Sequence, residues 1–171
     1  MKKIVIYVAI IILIIGFLFG INNSFDLSNF VTFGFSFKYF LYYFCLIILL
    51  SSLTFLCVPS YFILIMFEFF SIGFLLWLFI KNFYLKGLGF VLVFFLIYKM
   101  FLIFGYYLNN FYFCKYVKNL YRYIFKKGSK RYMILYVKKI WIISFFLIGY
   151  YFILNTLFFK IGCKFLVMLI K

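Results

Sequence analysis

The sequence predicts an all-α, polytopic membrane protein, a bundle of about five transmembrane helices with an amphipathic interfacial helix. Three observations carry that expectation. Of 171 residues, 70% are hydrophobic and 29% aromatic, while only 12% are charged; soluble domains run near half apolar and about a quarter charged. The apolar residues gather in blocks of about twenty or its multiples, the length a helix needs to cross the hydrocarbon core. The 18 Lys and Arg, against only Asp26 and Glu68, lie almost entirely between those blocks, where anionic lipid headgroups are the natural counter-charge. The same net charge of +16 on a soluble protein would point to nucleic acid; its placement here argues against that partner.

The first block, residues 4–21, carries no charge and follows Lys2 and Lys3. It is longer than an ordinary leader's apolar core, and Asn22-Asn23-Ser24 rather than an A-x-A-like site follows it, so it reads as an uncleaved first span. The second block, residues 39–80, is double length, with Cys57-Val58-Pro59-Ser60 near its middle. As one helix it would be about 63 Å long, twice the hydrocarbon thickness. Pro59 lacks a backbone donor and biases Val58 away from helix, and Ser60 is a good residue to cap a new helix. The block is therefore expected to be a hairpin of spans 39–56 and 60–80, turning at Pro59. A fourth span is expected at 87–108 and a fifth at 140–159; the apolar stretch 165–170 is too short to cross.

Residues 109–139 form the longest connection, and nine of them are basic. Lys115, Lys118, Arg122 and Lys126 recur at helical spacing, with Val117, Leu120, Tyr121 and Ile124 on another side. That pattern predicts an amphipathic helix lying flat among headgroups, with Lys127, Lys130 and Arg131 beyond it; contact with anionic lipid is the favoured role and docking of an acidic partner the other. With the N-terminus inside, the inner segments hold eleven Lys and Arg and the outer ones six. This predicts a multi-pass protein of a bacterial cytoplasmic membrane, N-terminus cytoplasmic and C-terminus outside.

Two charges fall inside spans, Glu68 and Lys99. Each is costly alone in hydrocarbon, by at least ~2.5 kcal/mol. Glu68 lies 12 residues before position 80 and Lys99 12 residues after position 87. Both should sit about 18 Å from the shared loop, close enough in depth for a buried ion pair that sets helix register; a proton or ion relay is the alternative. Gly73, Gly87, Gly89, Gly105 and Gly149 let helix backbones approach. The Gly16/Gly20 pair has the spacing of a dimer face, so a homo-oligomer is a possibility.

The chain has no His, no paired carboxylates, no phosphate-binding loop and no dinucleotide fingerprint. Its four Cys form no CxxC pair. No cofactor, metal or catalytic residue is expected. These absences leave a scaffold, a small hydrophobic organelle-encoded subunit of a respiratory membrane complex, or a small transporter using Glu68.

One stretch resembles a known family. Cys57-Val58-Pro59, an apolar run, Phe69-Phe70-Ser71-Ile72-Gly73-Phe74 and then Tyr84-Leu85-Lys86-Gly87-Leu88 are similar to the stage II sporulation protein M family. There a Pro opens a span, a Gly-Phe pair lies about fourteen residues later and a Lys-Gly pair opens the next span. Here those positions are Pro59, Gly73-Phe74 and Lys86-Gly87. The family often has a basic residue near the position of Glu68, and a Pro with polar amides near Ile97-Tyr98-Lys99, where this chain differs. The resemblance implies a non-enzymatic membrane scaffold that positions cell-wall and engulfment partners, among them exported wall-remodelling proteins.

Overall fold

The computed structural model describes residues 2–22, 37–53, 56–57, 59–125, 129–153, 161 and 164. Its elements are all helical: α1 (Lys2–Asn22), α2 (Phe37–Leu53), α3 (Ser60–Phe90), a π-helical stretch (Val91–Leu96), α4 (Ile97–Ile124) and α5 (Lys130–Ile153). No strand occurs among the described residues. Blocks rich in Leu, Ile and Phe with few internal Gly or Pro leave the helix as the form that satisfies every backbone group within one segment. Two helical stretches are long and apolar enough to cross a membrane, Ser60–Ile124 and Lys130–Ile153; α1 and α2 contribute the shorter apolar runs Ile6–Ile21 and Leu41–Leu53. Asp26, Lys126, Lys127, Gly128, Cys163, positions 154–159 of the expected fifth span and the tail 165–170 lie outside the described residues.

The chain divides into two compact units. The first draws on Met1–Ser36, Ile65–Phe101 and Leu154–Lys171, the second on Phe37–Leu64 and Leu102–Ile153.

In the first unit α3 is broken at Tyr84, where φ is 51° and ψ −132°. That conformation belongs to the first central position of a type II′ turn, normally taken by Gly. Around it the chain doubles back. The rings of Phe79 and Phe90 come within 5.2 Å of each other, and Leu75, Leu78, Phe79, Phe90 and Val91 form the buried core of the hairpin. Gly87 permits the tight return, since a Cβ there would run into the carbonyl of Phe79 and lie 3.0 Å from Cβ of Phe83. The expected loop between 80 and 87 is thus a one-residue break, with helix on both sides.

Helix α1 packs on the first arm of this hairpin through backbone. Gly16 faces Phe70 and Gly73 faces Leu13, each so close that a Cβ would strike a main-chain carbonyl. A Cβ on Gly20 would stand 2.8 Å from the Trp77 ring. Phe17 meets Trp77 edge to face at 5.2 Å. The Gly16/Gly20 face is therefore occupied within the chain, which corrects its reading as a dimer face.

In the second unit α2 packs against α5. The turn into α3 uses Cys57 at φ 59°, followed by exposed Pro59, whose carbonyl accepts from Phe62 N at 3.1 Å. Ser60 does not cap the new helix. Its hydroxyl donates to Leu50 O at 3.1 Å, one of the α2 carbonyls that lack a partner within their own helix.

The flat interfacial helix does not exist as a separate element. Residues 109–124 continue α4 without a break, and 130–139 open α5. The reason lies on another face of α4. Leu102, Gly105, Tyr106, Asn109, Phe113 and Tyr116 make one buried stripe, while Tyr121 and Ile124 of the expected apolar stripe are exposed. A Cβ on Gly105 would strike the Leu147 side chain, and Asn119 Nδ2 donates to Ser129 O at 3.0 Å. Helices α4 and α5 thus pair antiparallel up to the turn near residue 125.

Two outcomes check this architecture. Gly73→Ala should lower stability by about 1–3 kcal/mol through forced helix separation, whereas Gly149→Ala, where a Cβ meets nothing within 4 Å, should be neutral or mildly stabilising; denaturant titration in detergent measures both. Tyr84→Gly should stabilise the hairpin by about 1 kcal/mol by relieving backbone strain, because the Tyr84 side chain is 79% exposed and has little packing to lose.

Candidate functional site: two buried polar centres

In the first unit Lys99 Nζ donates to Glu68 Oε2. The two residues stand on opposite arms of the hairpin, each fifteen or so positions from Tyr84. Glu68 is 8% exposed. Lys99 also lies over the Tyr98 ring, 5.7 Å from its centroid. An unpartnered carboxylate here would face desolvation with nothing in return, while the pair cancels its charge locally. Two single charges in apolar arms therefore specify one alignment of those arms, since sliding by a helical turn separates them by about 5 Å.

Of the positions that carry the resemblance, Gly73, Phe74, Lys86 and Gly87 fall in the same unit and Pro59 in the second. Gly73 makes the backbone contact with α1, and Phe74 leans on the hairpin core, its ring 6.3 Å from Phe19. Gly87 serves the turn, and Lys86 is exposed beside it. Packing accounts for Gly73, Phe74 and Gly87 but not for Lys86.

The second unit holds a polar centre that the sequence reading missed. Ser51, Tyr61, Asn109 and Ser144 come from α2, α3, α4 and α5, and all are buried. Tyr61 OH lies 2.7 Å from Ser51 Oγ and 2.7 Å from Ser144 Oγ. Ser51 Oγ and Ser144 Oγ are 2.9 Å apart. Each serine also reaches the carbonyl one turn back on its own helix, Ile47 O and Ile140 O, at 2.8 Å. Asn109 Nδ2 donates to Ser144 Oγ at 3.3 Å, and its Oδ1 is buried without a partner. Three hydroxyl protons serve three mutual contacts and two carbonyls, so the protons are shared and the centre is rich in acceptors. A second phenol pair, Tyr43 OH and Tyr106 OH at 2.7 Å, lies in the same unit, with Tyr43 stacked on Tyr151 at 3.8 Å.

None of these residues stands out in the sequence: Ser51 adjoins Ser52, Tyr61 follows Ser60, Asn109 adjoins Asn110, and Ser144 is a single hydroxyl in an apolar stretch. A usable signal was present: Ser144 is the only hydroxyl-bearing side chain in 140–149, and a lone polar residue in such a block needs a buried partner. Nothing local says which.

The basic residues Lys115, Lys118, Arg122, Lys130 and Arg131 are all exposed. They belong to the paired ends of α4 and α5. Lys115 Nζ stands 4.2 Å over the Phe111 ring and Lys139 Nζ 5.1 Å over the Tyr112 ring. Cys45, Cys57 and Cys114 are exposed free thiols.

No family model matches the chain, and no curated protein or solved structure matches it either.

Removing one partner of the ion pair should cost more than removing both. Glu68→Leu should destabilise the protein by about 3 kcal/mol by stranding Lys99, and Glu68→Leu with Lys99→Leu should recover most of that loss. Equal losses in unfolding titrations of the single and double variants would remove the pair from any role in holding the arms.

Proposed function

We propose that the chain is an integral protein of a bacterial cytoplasmic membrane, crossing it five times, and that it acts as a non-enzymatic scaffold of the kind the stage II sporulation protein M resemblance implies. The observation that carries this reading is the direction in which the polar groups face. Glu68 and Lys99 engage each other, and Ser51, Tyr61, Asn109 and Ser144 engage one another, so the buried polar chemistry joins helix to helix. What faces outward is apolar or basic. Among the described residues, large exposed hydrophobics outnumber buried ones, and α1 alone exposes Ile6, Ile10, Ile14 and Leu18. Lipid tails suit such faces, where water would not.

The proposed spans are α1, α2, the first arm of the hairpin, its second arm continued through the π-helical stretch into α4 as far as about residue 108, and α5. The excess of Lys and Arg near the α4–α5 turn supports placing that end, with the N-terminus, in the cytoplasm. The partners in this reading are anionic lipid headgroups and other membrane or exported wall-remodelling proteins.

Two measurements test it. In a cysteine-free background, single cysteines at positions 38 and 82 should both react with an impermeant maleimide from outside intact cells; labelling on opposite sides would overturn the five-span path. Tagged protein purified from native membranes should bring exported wall-remodelling proteins with it, and recovery of respiratory subunits in their place would replace the scaffold with a component of that machinery.

A further inference from the structure

Helix α5 carries an exposed stripe that a single membrane surface does not satisfy. Lys130 and Arg131, Ile134 and Leu135, then Lys138 and Lys139 recur at four-residue spacing, which puts the three pairs one above another along one face. All six are exposed, Ile134 at 60% and Leu135 at 42%. The next exposed residues on this helix are apolar, Ile142, Phe145 and Phe146. With α5 taken as a span, a premise that rests on the proposed function, Lys138 and Lys139 mark the edge of the hydrocarbon. Lys130 and Arg131 then stand about 12 Å further out. The headgroup layer is only about 5–8 Å deep on each side. The outer basic pair therefore reaches beyond the headgroups, and an apolar pair is left between two cationic turns.

From this juxtaposition we infer that the stripe is a docking surface for an acidic amphipathic helix of a partner protein, one that offers an apolar turn between two acidic turns. Charge complementarity selects that occupant. The chain's two acids are Asp26 and Glu68, and Glu68 is engaged by Lys99, so a second copy would bring a like-charged face against this one. Lipid headgroups neutralise Lys138 and Lys139 but offer nothing apolar to Ile134 and Leu135 at their height. A helix laid along α5 meets all three pairs, and the apolar contact gives register to what charge alone would leave free to slide.

The test uses the full chain in phosphatidylcholine nanodiscs and two fluorescent synthetic peptides of identical composition. One is a helix with Glu pairs flanking a Leu pair at four-residue spacing, and the other is its scramble. The first should bind at least about ten-fold tighter than the second. Ile134→Ser with Leu135→Ser should abolish that difference while leaving the binding of the scramble unchanged. Equal binding of the two peptides to the unaltered protein would overturn the proposal. So would loss of peptide binding on adding phosphatidylglycerol to the discs, which would assign the stripe to lipid, or efficient disulfide dimerisation of Leu135→Cys in a background lacking the chain's own cysteines, which would assign it to a second copy. Failure of the membrane reading is seen separately, as failure of the helical chain to enter discs at all.

Discussion

In the proposed membrane setting, apolar side chains do little to tell one face of these helices from another. A Leu or Phe buried against a neighbouring helix and one turned toward a lipid tail are in similar surroundings, so the hydrophobic effect that organises a soluble core gives little direction here. Orientation falls to the few groups that cannot be left alone. A buried charge needs a counter-charge and a buried hydroxyl needs an acceptor, while a glycine offers an approach that no other residue allows. In the first unit those groups are Glu68, Lys99, Gly16 and Gly73. In the second they are Ser51, Tyr61, Asn109 and Ser144. Each set aligns its helices through contacts that are few but exacting.

The two units solve the problem differently. The first uses one strong charge-assisted contact near the far end of a hairpin and a backbone contact where α1 crosses it. Its turn adopts a strained conformation at Tyr84, which the hairpin core and the ion pair hold from one side. The second uses neutral groups only, with more acceptors than protons. Such a centre has no charge to strand, and its hydroxyl protons can redistribute among acceptors without breaking the cluster. The unsatisfied Asn109 Oδ1 is the residual cost of that arrangement.

The pairing of α4 with α5 also changes what the basic region can do. Read as a surface helix, residues 109–139 would present every cation to headgroups in one plane. As the end of a helical pair, the same cations are spread along the axis, with apolar residues between them. The stripe Lys130 to Lys139 on α5 acquires an order along the helix that a flat helix would not have.

Helix as the only regular element among the described residues, and the apolar blocks that form it, were legible in the sequence, because block length and composition act locally. Glu68 and Lys99 stood out for the same reason, each the lone charge of its expected span, 60–80 or 87–108. The exact place where the chain turns was less legible: Pro59 marked one reversal and the second was bracketed between 80 and 87, but its break sits at Tyr84, a residue with no turn preference, because the core of Phe79 and Phe90 sets where the arms meet. The Ser51, Tyr61, Asn109 and Ser144 centre, the use of Gly16 against α3, and the continuation of α4 through residue 109 were decided only by tertiary structure. Each depends on which helix lies opposite, and a single chain of similar apolar blocks does not encode that in any one of them.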